Sequence, residues 1–105
     1  MVIGWISLSP YRENRRALRH VAEVSYYVED NYQGRGIGTE LLTEVIRLAP
    51  GFGFSVLIAI LLDRNEASIK LLNRSGFTEW GCMPGIAEVD GETLDHLYYG
   101  LKIIT

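Results

Sequence analysis

A strand-like run, Glu23 to Val28, leads into Gln33-Gly34-Arg35-Gly36-Ile37-Gly38-Thr39, and a helix-like run, Ile37 to Ala49, leads out. Glycines at alternate positions between a strand and a helix N-terminus leave few folds open. With no Cβ, they let the backbone come close to a ligand and turn its N–H groups outward. The helix behind them adds amides that lack intrahelical partners and the positive end of its dipole. Such a turn stabilises an anion, a phosphate above all.

Spacing separates the phosphate loops that this turn could be. A P-loop requires a lysine followed by Ser or Thr after its last glycine; here Thr39 follows Gly38 directly and the lysine is absent. A dinucleotide fingerprint is G-x-G-x-x-G, whereas Gly34, Gly36 and Gly38 run G-x-G-x-G. The net charge of -3 argues against a general nucleic-acid binder. Arg12, Arg15, Arg16 and Arg19 crowd one short stretch, which reads as a solvated loop or as a local anion or carboxylate site.

At 105 residues the chain is expected to form a single domain, 1–105. Its lone cysteine, Cys82, excludes an internal disulfide and, with only His20 and His96, supplies no metal-ligand spacing, so no metal is expected. Met1 to Leu8 lacks a basic start and is broken by Gly4 and Ser7, unlike a signal peptide. The apolar run Val56 to Leu62 is far too short to span a membrane. A cytoplasmic protein is expected.

Val2 to Leu8 is β-branched and aromatic and predicts a strand ended by Ser9-Pro10. Val21 to Val28 predicts a second strand, with Val21, Glu23, Ser25 and Tyr27 on one face and Ala22, Val24, Tyr26 and Val28 on the other. Ile37 to Ala49 has helical spacing and stops at Pro50-Gly51. Phe54 to Leu62 is continuously apolar, as in a strand covered on both faces. Strand, helix and buried strand make a right-handed βαβ unit. Asp63 to Ser75 predicts a second helix, capped by Asn65 or Asp63 and ended by Gly76. Phe77 to Cys82 predicts a short strand, Pro84 to Glu92 a loop with a hairpin turn at Asp90-Gly91, and Thr93 to Ile104 a final strand interrupted at Gly100.

The turn Gln33-Gly34-Arg35-Gly36-Ile37-Gly38 resembles Q/R-x-x-G-x-G/A, the signature of the GNAT superfamily of acyl-CoA-dependent N-acetyltransferases, at every fixed position. Asn65-Glu66-Ala67-Ser68, Leu71-Leu72 and Gly76-Phe77 resemble the family's next helix. IGWISLSPYR, AEVSYYV and DGETLDHLYYGLKI look like the phosphinothricin or methionine sulfoximine acetyltransferase branch, so the resemblance runs from about Val2 to Ile103. It implies an α/β (α+β) fold, a mixed sheet of about five strands with two helices.

The resemblance also implies a site. The backbone of Tyr26, Tyr27 and Val28 would pair with the pantetheine arm of acetyl-CoA. Gln33 and the amides of Gly34, Arg35, Gly36, Ile37, Gly38 and Thr39 would hold its pyrophosphate. Asn65 would contact the cofactor near its thioester end. The arm would enter a slot where the parallel strands splay. Glu23 would be the general base that takes a proton from a small, amino-acid-like amine, and Tyr11 and Arg12 would contact that substrate. Leu72 stands where many members carry a tyrosine as general acid, a role for which Tyr98 or Tyr99 could substitute.

Members of this branch have about sixty more N-terminal residues, a strand-helix-helix-strand portion. The truncated domain would expose the edge of its first strand, so a homodimer or a partner chain is expected to cover it. The alternatives to a working acetyltransferase are an incomplete acyl-CoA-binding fragment or partner-dependent subunit, and a structural interaction module with no ligand.

Overall fold

In a computed structural model, residues 4–12, 15–28 and 36–103 are described. A five-stranded mixed sheet runs in the order β1-β2-β3-β5-β4. Its strands are β1 (Gly4–Pro10), β2 (Val21–Val28), β3 (Val56–Leu62), β4 (Thr78–Val89) and β5 (Glu92–Lys102). Two helices, α1 (Ile37–Leu48) and α2 (Glu66–Arg74), follow β2 and β3. β2–α1–β3 is the expected parallel unit, and every other neighbouring pair is antiparallel.

Both helices lie on one face of the sheet. Ala22 and Val24 of β2, Leu57 and Ala59 of β3, and Leu97 and Tyr99 of β5 form one buried cluster with Leu42, Val45 and Leu72 of the helices. Alternation puts Trp5, Glu23, Tyr27, Ile58, Ile60 and Tyr98 on the opposite face, where none of them is fully buried. The apolar run of β3 is therefore deeply buried on one side only, a departure from the two-sided cover expected of it: Leu57 is 0% exposed, while its neighbours Val56 and Ile58 are half-buried.

Several boundaries differ from the sequence expectation. β1 extends through Ser9 and Pro10, which pair with Glu23 and Ala22. The Tyr11 amide donates to the Val21 carbonyl at 3.0 Å, so the preceding proline nitrogen points away from β2 and no ladder bond is lost. α2 begins at Glu66, with Asn65 as its cap; Asp63 and Arg64 form the turn before it.

The largest correction concerns 84–92, expected as a loop. β4 runs through it to Val89, and only Asp90-Gly91 is the turn, both residues at positive φ. Pro84 is tolerated because β4 borders the sheet and slips register between Met83 and Ala87. The Gly85 amide inside that irregularity donates to Asp95 Oδ1 at 2.9 Å. Nor does Gly100 interrupt β5: it is buried under the ring of Trp80, whose Nε1–H donates to Thr78 Oγ1 at 3.1 Å.

Candidate functional site

The parallel strands do not stay together. β2 and β3 pair at Val21↔Val56, Ala22↔Leu57 and Glu23↔Ile58, and the register ends there. Beyond that point β2 continues to pair with β1 on its other side, up to Val28. Among the described residues, Val24 to Tyr27 thus have no ladder partner in β3. Between the diverging strands lies a cleft of about 240 Å³. β2 contributes Val24, Ser25 and Tyr26 to its walls, β3 contributes Ala59, Ile60 and Leu61, and Asn65, Ser68 and Leu72 close it from α2.

Both helices begin where the strands separate. Gly36, at φ 82°, turns the chain into α1 and caps it without a side-chain bond. A Cβ there would meet nothing within 4 Å, so conformation, and no neighbour, calls for glycine. The Glu40 amide is the first to bond within the helix, to the Gly36 carbonyl at 3.0 Å. Among the described residues the amides of Ile37, Gly38 and Thr39 have no backbone acceptor, as at any helix start. Gly38 has a different reason: a Cβ would come within 2.8 Å of Leu71 Cδ2, so this glycine lets α1 pack against α2. Gln33, Gly34 and Arg35 lie outside the described residues.

Asn65 lines the cleft and caps α2, its Oδ1 accepting from the Ser68 amide at 3.3 Å. That bond leaves the Nδ2 donor for a ligand. Tyr26 lines the cleft together with Ser68 of α2, whose hydroxyl interacts with its phenol. Burial raises the Tyr26 pKa above the ordinary phenol value and the Ser68 bond lowers it, burial being the larger effect. Tyr27 points to the open face and pairs with Trp5, and Val28 pairs with Gly4.

Glu23 occupies the last paired position of β2, half-buried, on the face away from the helices. It does not line the cleft; it sits at the point where the two strands part. Tyr11 and Arg12 come to the same end of β2 through the Tyr11–Val21 bond. The Arg12 guanidinium stacks over the Tyr11 ring at 4.5 Å. Tyr98 and Tyr99 pair with Ile60 and Ala59 of the cleft wall but do not line the cleft themselves: Tyr98 stands on the open face against His96, and Tyr99 is buried in the core. Cys82 is exposed, and desolvation and the adjacent Asp95 push its thiol up, the reverse of an activated nucleophile.

Sequence reasoning named the strand, the glycines and Asn65 but missed Ser68, Leu72 and the phenol of Tyr26 as cleft residues. Strand alternation already put Tyr26 on the face of Val24, and the three-residue step from Asn65 to Ser68 is that of a helix cap. A larger, shallow hollow of about 500 Å³ lies beside Trp80 and Lys102, away from the glycine turn and from the splayed strands.

A mixed sheet whose central parallel pair parts into a cleft closed by α2 is the frame of the candidate site. The acetyltransferase (GNAT) family model matches residues 1–77. Over 103 residues the chain is 43% identical to YwnH of Bacillus subtilis, whose name proposes a phosphinothricin acetyltransferase, covering 98% of this chain and 60% of that protein. It is 34% identical over 102 residues to the L-methionine sulfoximine/L-methionine sulfone acetyltransferase of Pseudomonas aeruginosa, covering 97% of this chain and 59% of the relative. The structure superimposes with a TM-score of 0.88 on the phosphinothricin acetyltransferase of Sinorhizobium meliloti in complex with acetyl-CoA, at 32% identity, covering 96% of this chain and 54% of that one. The chain belongs to the GNAT acetyltransferase family. It spans about 60% of the length of the curated relatives it matches.

Proposed function

We propose that this chain carries the acetyl-CoA site of an N-acetyltransferase that moves an acetyl group to the amine of a small, amino-acid-like substrate. The carrying observation is the cleft that opens past Glu23↔Ile58. Its dimensions and partners suit a pantetheine arm: a strand edge from Val24 to Tyr27 without a partner in β3 for the amides of the arm, apolar walls for its methylenes, and Asn65 Nδ2 as a donor. The orphan amides of Ile37, Gly38 and Thr39 suit the pyrophosphate, with Gln33, Gly34 and Arg35 completing the cradle in this reading.

Direct transfer needs a neutral amine held against the thioester. Glu23, at the point where the strands part, is the base in this proposal, and the acceptor approaches from the open face, with Tyr11 and Arg12 beside it. The names of the relatives, sulfoximine, phosphinothricin and L-amino acid acylating enzymes, favour an acceptor with an α-amino acid group. We further propose that a second copy or a partner strand covers the uncharged edge of β1, and that the protein works in the cytoplasm.

Calorimetric titration with acetyl-CoA tests the proposal, and an absence of binding overturns it. Thiol release with a panel of amino acids and their analogues tests turnover; Glu23→Gln is expected to lower it at least about 100-fold with acetyl-CoA affinity retained. That Glu23 stays outside the cleft lining supports a second reading, an acyl-CoA-binding portion that turns over only with a partner. Tight acetyl-CoA binding with no thiol release on any amine selects it.

A further inference from the structure

Breaking a thioester expels a thiolate, and a group that protonates the sulfur as the bond breaks lowers the barrier. The cleft offers few candidates. Val24, Ala59, Ile60, Leu61 and Leu72 carry no acidic proton. The hydroxyls of Ser25 and Ser68 and the Asn65 amide are far weaker acids than a thiol. Tyr26 is the one cleft side chain whose ordinary pKa, about 10, lies close to that of a thiol, about 8.5. It also shares the cleft with Ser68 of α2, whose hydroxyl interacts with the phenol.

We propose that the Tyr26 phenol is the proton donor to the departing thiolate, with Ser68 as its positioning residue. The proposal rests on the acetyl-CoA reading above. The amine nitrogen adds to the thioester carbonyl carbon and its surplus proton passes to Glu23. As the C–S bond breaks, its electron pair goes to sulfur, and the Tyr26 O–H proton follows. The phenolate, stabilised by the Ser68 hydroxyl, regains a proton from solvent, and the proton on Glu23 returns there. Amine and acetyl thioester become amide and free thiol with nothing oxidised or reduced.

The two proton sites stand on opposite faces of the sheet, Glu23 on the open face and Tyr26 on the helix face, so the reacting carbon lies between them in the gap. Burial favours the protonated phenol, the form a donor must have. Among the described residues the groups that act on its ionisation are its apolar surroundings and Ser68, and none is a charge. Its β1 partner is Ile6.

Tyr26→Phe removes only the hydroxyl. The turnover number with acetyl-CoA and the best amine is expected to fall about 10- to 100-fold, while the acetyl-CoA Kd stays within about twofold by calorimetry. Ser68→Ala is expected to cost about fivefold. A second measurement needs no turnover: the thiol of bound CoA, titrated by the ultraviolet absorbance of its thiolate, should have its acid dissociation constant raised about tenfold more by wild-type protein than by Tyr26→Phe. Unchanged turnover in Tyr26→Phe, or bound CoA thiol that titrates alike in both proteins, overturns the assignment. Wild-type protein that gives no heat with acetyl-CoA overturns the site reading itself and is distinguished at the first step.

Discussion

Gly38 separates two explanations of the glycine-rich turn, ligand approach and helix packing, and a mutant cycle with Leu71 measures the second. Alanine at 38 gains up to about 1 kcal/mol of helix propensity over glycine. Against that gain its Cβ would sit 2.8 Å from Leu71 Cδ2 and 3.5 Å from Cδ1, the first distance well inside normal carbon contact. Overpacking of this kind costs about 1–3 kcal/mol. Leu71 is half-buried and its methyls can swing, so the lower part of that range applies. Gly38→Ala is therefore expected to be destabilising by at most about 1 kcal/mol, a fall in Tm of no more than about 4–8 °C for a chain of this size. In a Leu71→Ala background the obstruction is gone and the same substitution should stabilise by up to about 1 kcal/mol. The coupling, about 1–2 kcal/mol, is read from urea unfolding of the four proteins. Additive effects would refute the packing role and return Gly38 to the ligand. Acetyl-CoA titration of the double variant completes the comparison, because a purely structural glycine leaves affinity intact once packing is restored.

Other substitutions test neighbouring features. Asn65→Ala should cost about 1 kcal/mol in chemical denaturation through loss of the bond from the Ser68 amide, and Asn65→Asp should keep most of that stability. Gly100→Ala would bring a Cβ to 2.1 Å from the Trp80 ring and is expected to destabilise by about 2 kcal/mol; in a Trp80→Ala background the cost should fall below about 0.5 kcal/mol, both by urea unfolding. Because folding raises the Tyr26 pKa, the folded state holds its phenolic proton more tightly than the unfolded chain. That contribution to stability is fully present below the ordinary value of 10.0 and is lost as pH rises from there through the folded value. Tyr26→Phe should flatten this part of the stability–pH curve relative to wild type, with denaturant midpoints across alkaline pH as the measurement.

The architecture was legible where one residue pattern allowed one outcome. Alternation along Val21–Val28 and helical spacing over Ile37–Leu48 each specify a period, and the positive φ at Asp90 and Gly91 follows from turn chemistry. Pro84 misled because proline forbids a ladder bond only where its nitrogen would face a neighbour. At a sheet border with shifted register that condition lapses, and tertiary position decides it. Gly100 misled for a similar reason: its place is taken by the ring of Trp80, a residue far away in sequence. At the site, Asn65 and the glycines carry local signals. The end of pairing at Glu23↔Ile58 does not, because divergence of two strands is a property of the whole sheet and of what packs on it. Hence the cleft's polar pair, Tyr26 and Ser68, came into view only with the fold.

The placement of the aromatic residues has an optical consequence. Trp5 is paired directly with Tyr27 on the strand that walls the cleft, whereas Trp80 is stacked over Gly100 at the far side of the sheet. The chain's two tryptophans therefore form a reporter and a reference. Emission from Trp5 is expected to change when a ligand orders the strand it pairs with, and emission from Trp80 to track the hairpin that carries it. A Trp80→Phe protein would thus follow occupancy of the cleft by its own fluorescence, with no label attached.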